Sequence, residues 1–146
     1  MSTKENKELV REHVKRINEA NRDVNKIRSW GDKIYAPSYV CHYPFSDMSR
    51  EETIGSWVSM VSAFPGFEWL IDVLVAEEDR VVNITTIKGT HKGVFIGIPA
   101  TGKQILVKWV TLYKIGRGKI LEGWEFPDML SLMTQLGVVS SAVLKT

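Results

Sequence analysis

Cysteine is nearly absent from this 146-residue sequence. Cys41 is the single cysteine, so the chain cannot close an internal disulfide. Structural zinc sites use several cysteines and histidines at short, regular spacings, and no such spacing occurs here. We therefore expect no metal site in this chain.

Neither sign of charge is in excess. The chain has 19 lysine and arginine residues against 17 aspartate and glutamate residues. The basic residues are scattered along the chain, whereas nucleic-acid-binding surfaces gather them into a stripe with interleaved aromatics. We therefore expect no nucleic-acid partner.

Long hydrophobic runs are also missing. No apolar stretch is long enough to cross a bilayer, and the first eight residues are too polar for a signal peptide. The length fits a single domain over residues 1–146. These features predict a cytoplasmic protein with one core and no membrane partner.

A phosphate-binding loop is present only in part. Residues 97–103, G-I-P-A-T-G-K, match its glycine and lysine spacing. The motif needs Ser or Thr at the next position and must open a helix, but Gln104 follows and a strand-like segment comes after it. We therefore set aside nucleotide binding.

The N-terminal half has helical periodicity. Apolar residues recur at helical spacing from about Lys7 to Ser29, which predicts one long amphipathic helix with His13 solvated beside its apolar stripe. Ser49 and Glu52 form a capping box, which predicts a second helix that ends at Pro65.

Beyond residue 66 the period changes to that of strands. Alternating, β-branched segments near residues 69–75, 81–91, 105–115 and 119–126 predict about four strands, and a short helix then ends at Gly137. The predicted fold class is α+β: a cone-shaped fold whose N-terminal helices pack on a strongly curved, mainly antiparallel sheet, with a short C-terminal helix.

The predicted cone has more aromatic lining than a core needs. An apolar small molecule fits in the mouth of a cone with this lining, although plain core packing accounts for most of the individual aromatic residues. The Gly89–Lys103 stretch would cross the mouth and cover it. The candidate substrate-binding aromatics are Trp57, Phe64, Phe95, Trp109 and Trp124.

Side-chain alternation suggests how polar groups reach this cone. Asn83 and His91 share one face of the second strand, while Trp124 and Asp128 share one face of the last strand if it stays extended. If both faces are concave, His91 and Asp128 converge, but a bulge would reverse the inference. Glu122 and Glu125 are interpreted as solvated strand residues.

Two roles compete for Asp128. It directly precedes the terminal helix, where aspartate is a favoured N-cap that accepts hydrogen bonds from first-turn amides. Alternatively, an apolar cone would raise the pKa of its carboxyl toward the range of a general base at neutral pH. Both roles stay open from the sequence.

Several motifs in order resemble the SnoaL-like polyketide cyclases of the nuclear transport factor 2-like superfamily. They are Y-V-C-H-Y-P from Tyr39, A-F-P from Ala63, D-R-V-V from Asp79, the G-T-H-K-G-V-F-I-G-I-P-A-T-G-K stretch, and G-K-I-L-E-G-W-E-F-P-D from Gly118 with its following Q-L-G. The resemblance covers roughly residues 9–137 and implies the cone-shaped α+β fold.

The resemblance also implies a function. Asp128 would be the general acid/base of a cofactor-free intramolecular aldol cyclisation, with His91 beside it and His42 also lining the pocket. It implies an apolar or aromatic carbonyl substrate and a homodimer or homotetramer formed through the outer face of the sheet. The alternatives are a cofactor-free isomerase, hydratase or hydrolase in the same pocket, or a non-catalytic small-molecule-binding or assembly module.

Overall fold

The computed structural model describes residues 2–145, which form helices packed against one curved sheet. Within that range, no helix is both long enough and apolar enough for a membrane crossing. The helices are α1 (Thr3–Ala20), α2 (Val24–Ile34), α3 (Arg50–Ala63) and α4 (Met129–Gln135), with a short 3-10 helix at Ser141–Leu144. The strands are β1 (Tyr35–His42), β2 (Asp47–Ser49), β3 (Glu68–Glu77), β4 (Arg80–Thr90), β5 (Gln104–Gly116) and β6 (Lys119–Pro127).

The sheet has the order β2-β1-β6-β5-β4-β3. Only the β1–β6 pair is parallel among the described strands, so the predicted α+β class with a mainly antiparallel sheet is confirmed. The expected count of about four strands was too low, because β1 and β2 were not recognised. The β1 segment contains Pro37, and its pairing with β6 shifts register between Tyr35 and Val40, where proline cannot donate to a regular ladder.

The single long N-terminal helix was a wrong prediction. Asn21 and Arg22 have positive φ of 46° and 72°, and this left-handed backbone ends α1. The Asp23 carboxylate then accepts hydrogen bonds from the amides of Asn25 and Lys26, which starts α2. The apolar residues keep their helical spacing across the break because both helices pack on the same core.

Other local predictions are confirmed. The Ser49 side chain accepts from the Glu52 amide and Glu52 reaches back to the Ser49 amide, which is the predicted capping box of α3. Arg117 and Gly118 have φ of 52° and 71° at the β5–β6 turn. Gly137, with φ of 81°, follows α4 as the predicted stop.

The helices cover one face of the sheet. Helix α1 packs on β3 and β4, and α3 packs on β1 and β2. Fully buried residues such as Ile54, Trp69 and Ile120 fill the space between them. We call the side of the sheet that carries these residues the concave face, and we call the opposite side the outer face.

His13 is part of this core, contrary to the expectation that it is solvated. It is fully buried, and its Nδ1 lies 3.0 Å from the Trp30 indole nitrogen, which can only donate. Nδ1 is therefore the acceptor, and the Nε2–H group donates to the Tyr35 hydroxyl oxygen at 3.0 Å. Burial lowers the pKa of His13 to about 3, so the ring stays neutral.

This neutral histidine predicts acid sensitivity. The unfolded chain takes up a proton at His13 below about pH 6.5, whereas the folded chain does so only near pH 3. We expect the stability advantage of the wild type over His13→Gln to be largest above pH 6.5. The advantage should shrink by about 1.4 kcal/mol per pH unit as the pH falls between these values. Urea unfolding at a series of pH values measures it, and a pH-independent difference would contradict this assignment.

Candidate active site

A pocket of about 330 Å³ lies between α3 and the concave face of the sheet, within the usual size range of ligand sites. Its polar lining groups are Tyr43, Ser56, Ser59 and Glu125. Its main apolar walls are Trp57, Met60, Ile87, Phe95, Ile96 and Trp109, with Met48 at the β2 side. The pocket therefore holds one carboxyl group in predominantly apolar surroundings.

A bulge in β6 turns Glu125 into this pocket. Lys114 pairs with Glu122 and Ile115 pairs with Ile120, so Leu121 is an extra residue without a partner on β5. The extra residue inverts the alternation beyond it. Glu125 is consequently only 8 % exposed, whereas its neighbour Phe126 is 57 % exposed on the outer face.

Close packing under Glu125 depends on a glycine. Gly123 pairs with Cys41 of β1, and a Cβ at this position would lie 2.6 Å from the Tyr39 hydroxyl oxygen. Only glycine lets the Tyr39 ring lie this close to β6. The packing encloses this part of β6 on its concave side and contributes to the burial of Glu125.

The environment of Glu125 favours its neutral form. Burial raises the pKa of this carboxyl to about 7, and hydrogen bonding with Cys41 and Trp109 offsets only part of the effect. The causes of the shift among the described residues include no cationic group. Near neutral pH the group is therefore balanced between proton donor and proton acceptor.

Two neighbours of Glu125 keep their protons. Burial and then the charge of Glu125 raise the pKa of the Tyr43 phenol, and the same two causes raise the pKa of the Cys41 thiol. The Tyr43 hydroxyl therefore stays protonated, and because Tyr43 lines the pocket it is available as a hydrogen-bond donor.

The loop of residues 91–103 forms one rim of the pocket. The His91 amide donates to the Lys103 carbonyl and the Gly102 amide donates to the His91 carbonyl, both at 2.8 Å, which closes the base of the loop. At its tip, Phe95 and Ile98 exchange backbone hydrogen bonds around Ile96 and Gly97, whose φ angles are 50° and 72°. Phe95 and Ile96 line the pocket, as expected for a stretch that covers the mouth.

Asp128 is the N-cap of α4. Its carboxylate accepts a hydrogen bond of 3.0 Å from the Ser131 amide, and the residue is exposed rather than part of the pocket lining. Beyond the bulge, Trp124 and Phe126 share the outer face of β6 rather than the concave face, and Asp128 follows the end of the strand. The structure therefore shows the capping role that the sequence left open, while an acid/base role of Asp128 stays a prediction.

His91 holds the loop together. Its Nδ1 accepts from the Thr101 amide at 3.2 Å and lies 2.9 Å from the Thr101 hydroxyl, while its ring stacks on Phe64 at 5.1 Å. The ring is fully buried outside the pocket lining, and no hydrogen bond joins it to Asp128 among residues 2–145. Its contacts make it a positioning residue of the loop.

The candidate substrate-binding residues fall into three places. Trp57, Phe95 and Trp109 line the pocket. Phe64 and Asn83 are fully buried but lie outside the pocket lining. His42 and Trp124 belong to the outer face, because the bulge directs Trp124 away from the helices.

On the outer face, His42 bridges two carboxylates. Its Nε2 lies 2.6 Å from Glu122 and its Nδ1 lies 2.9 Å from Asp47, and the hydrogen bonds with Glu122 and then Asp47 raise the pKa of His42. Its ring lies 5.2 Å from the Trp124 ring, and the Arg80 guanidinium lies 5.3 Å from the same ring. The hydrogen bonds of His42 link β1 to β2 and to β6. Among the described residues, no group of three or more His, Cys, Asp or Glu side chains is placed to bind a metal ion.

Sequence reasoning missed Glu125 and Tyr43. The expectation that Glu125 is solvated was wrong because it assumed unbroken alternation along β6. One signal was present: Ile120 and Leu121 are consecutive apolar residues, which a regular half-buried strand would separate. A bulge between them is the simplest way to bury the first and still place Glu122 outside.

Comparisons with known proteins agree with this architecture. Residues 11–136 match the family model of the SnoaL-like polyketide cyclases. No curated protein matches the chain.

Solved structures resemble it over most of its length. AclR from Streptomyces galilaeus, a candidate hydroxylase, is 28 % identical with a TM-score of 0.78, over 94 % of this chain and 99 % of AclR. IdmH from Streptomyces antibioticus, a candidate polyketide cyclase, is 25 % identical with a TM-score of 0.67, over 85 % of this chain and 95 % of IdmH. TsrD from Streptomyces laurentii, at 24 % identity and a TM-score of 0.80 over 95 % of this chain and 99 % of TsrD, shares the fold.

Burial of Glu125 predicts a stability cost at high pH. The unfolded chain loses this proton near pH 4.5 and the folded chain near pH 7, so ionisation destabilises the fold across that interval. We expect Glu125→Gln to gain about 3 kcal/mol over the wild type at pH 8, and this gain to vanish below pH 4.5. Chemical unfolding at both pH values measures it. Glu122→Gln, on the outer face of the same strand, is the control and should show no such gain; an equal gain there would contradict the assignment.

Proposed function

This chain belongs to the SnoaL-like polyketide cyclase family, and from that premise we propose that it is an enzyme using Glu125 as general acid/base on an apolar carbonyl substrate. The model reaction is an intramolecular aldol cyclisation without a cofactor. The observation that carries the proposal is the buried Glu125 carboxyl, with a pKa of about 7, in an apolar pocket. General bases are most effective when their pKa lies near the working pH.

In the first step, the ionised Glu125 carboxylate takes a proton from the carbon next to a ketone. The C–H electron pair forms an enolate, and its carbon bonds to a second carbonyl carbon of the same molecule. The carbonyl oxygen becomes an alkoxide, which takes the proton back from Glu125. The proton balance closes, and the base is regenerated in each cycle.

Hydrogen-bond donors next to the carboxyl support this step. The Tyr43 hydroxyl stays protonated, and Trp109 hydrogen-bonds with Glu125 from the same wall. A phenol that lines the same pocket as the base can donate to an enolate oxygen, and such a hydrogen bond is worth more in a pocket that excludes water than in bulk water. Tyr43 is therefore the proposed electrophilic partner of Glu125.

The family resemblance implies Asp128 instead, and one pair of variants separates the two. We expect Glu125→Gln to lower kcat/KM by roughly 10² to 10⁴-fold, because glutamine keeps the shape but cannot accept the proton. Asp128→Asn should leave kcat/KM nearly unchanged, since asparagine caps a helix about as well as aspartate. The assay follows ring closure of aromatic 1,5-diketones by product analysis, together with deuterium uptake at the α carbon in D₂O.

The pH profile gives a second readout. The wild-type kcat/KM should fall as the pH drops below about 7, because protonation removes the base. Loss of activity in Asp128→Asn with retention in Glu125→Gln would overturn the assignment in favour of the aspartate. Binding without deuterium uptake or product would favour the alternative of a non-catalytic binding module.

The outer face supports an oligomer. Two apolar rows cross β3, β4, β5 and β6 on this face, made of directly paired residues. The rows are Val73, Ile84, Val110, Phe126 and Val75, Val82, Leu112, Trp124. Contiguous apolar patches of this kind mark interaction sites, and we propose that a second copy of the chain covers these rows.

A charge in the centre of these rows should separate the copies. We expect Ile84→Lys to convert a dimer or tetramer into a monomer, because burying a lysine among the apolar rows of two sheets is costly. Light scattering after size exclusion measures the mass. Val94→Lys, at an exposed apolar position on the loop rim, is the control, and a wild-type chain that is already monomeric would refute the interface.

A further inference from the structure

We propose that this pocket binds small organic ammonium ions, held between the Glu125 carboxylate and the aromatic walls. The inference names a ligand class for the same pocket, and it rests on the proposed function only in placing Glu125 at the centre of the site. It does not require that the protein turn over a carbonyl substrate.

The first observation is that the residues that line the pocket carry no positive charge to pair with Glu125. Glu125 is buried, and none of the residues that line the pocket is lysine, arginine or histidine. Buried carboxylates are usually paired with a cation, because an unpaired buried charge is costly. A cationic ligand would supply that pair, whereas a carboxylate ligand would be repelled.

Among the described residues, the groups that surround the pocket lining and interact with Glu125 do not supply a cation either. The groups that interact electrostatically with Glu125 are phenols and a thiol. Each of them has a raised pKa, so each stays neutral at pH 5 to 9. They are Tyr35, Tyr39, Cys41, Tyr43 and Tyr113. His13, which contacts the Tyr35 hydroxyl, is neutral because its pKa is lowered, and His42 is engaged by Asp47 and Glu122 on the outer face.

The second observation is the arrangement of aromatic rings. Tyr43 and Trp109 meet at 63° with centroids 6.2 Å apart, and Trp57 and Phe95 line the same pocket. Rings set at an angle form two adjoining walls rather than one flat stack. Aromatic walls around a carboxylate are the recognition chemistry of quaternary ammonium ions, because ring faces carry partial negative charge.

Ionisation of Glu125 gives the binding a defined pH dependence. An ammonium ion pairs with the carboxylate and not with the neutral acid, so its affinity should rise as the pH increases through about 7 and level off above it. A neutral ligand of the same shape should not gain affinity over that interval. An anionic ligand should lose affinity.

Three probes of similar shape and different charge test the proposal. They are choline, its uncharged carbon isostere 3,3-dimethylbutan-1-ol, and 3,3-dimethylbutanoate. Calorimetric or NMR titration of the full chain at pH 5.5 and pH 8.5 gives the dissociation constants. At pH 8.5 we expect choline to bind about tenfold tighter than the neutral isostere, as one cation–aromatic and charge contact typically provides, and 3,3-dimethylbutanoate to bind weakest.

Two variants test whether Glu125 causes the preference for choline. Glu125→Gln should remove the preference for choline, while Glu122→Gln should keep it, because that carboxylate lies on the outer face and pairs with His42. Equal binding of choline and its isostere at pH 8.5, or a preference that survives Glu125→Gln, would overturn the proposal. The pH series on the wild type decides the matter even if a variant does not fold. Choline binding without carbonyl turnover would refute the proposed function alone, and turnover without choline preference would refute this inference alone.

Discussion

The extra residue that β6 accommodates at Leu121 decides which side chains of the last strand face the helices. Without it, Glu122, Trp124 and Phe126 would continue the concave face that Ile120 begins, and Glu125 would point to solvent. Because of this one unpaired residue, the Glu125 carboxyl faces the pocket, and the aromatic side chains of Trp124 and Phe126 lie on the outer face. The electrostatics of the pocket and the composition of the outer face both follow from this inversion.

The concave face carries more polar groups than a core optimised for stability would hold. Asn83 pairs with Thr111, and Thr111 pairs with Glu125, so a row of buried polar side chains runs across three strands. Both amide atoms of Asn83 have no hydrogen-bond partner among the described residues. Buried polar groups of this kind lower stability, and such costs are typical of sites that perform chemistry.

His13 in the core and His42 on the outer face show how the position of a histidine in the fold determines its charge. His13 is neutral because burial excludes water and the Trp30 indole can only donate to it. His42 favours its charged form because two carboxylates flank it at the rim of the sheet. Neither histidine lies in the pocket. The histidine that the motifs emphasised, His91, instead fastens the loop whose Phe95 forms part of the pocket wall.

Local signals in the sequence were sufficient for the fold class and several boundaries. The capping box at Ser49, the turn at Arg117-Gly118 and the stop at Gly137 depend only on neighbouring residues, so their chemistry can be read from the chain. The aromatic surplus likewise predicted a lined cavity, and Trp57 and Trp109 are among its walls.

Only the tertiary structure shows which carboxyl group lines that cavity, namely Glu125. A strand side chain can face either way with the same local sequence, and only the pairing of β6 with β5 shows that Leu121 is unpaired. The capping role of Asp128 was likewise visible only in three dimensions, since its carboxylate accepts from the Ser131 amide. By itself the sequence determined the fold class, several element boundaries and the apolar character of the pocket. The register between strands, which depends on residues far apart in the chain, determined that Glu125 lies inside the pocket.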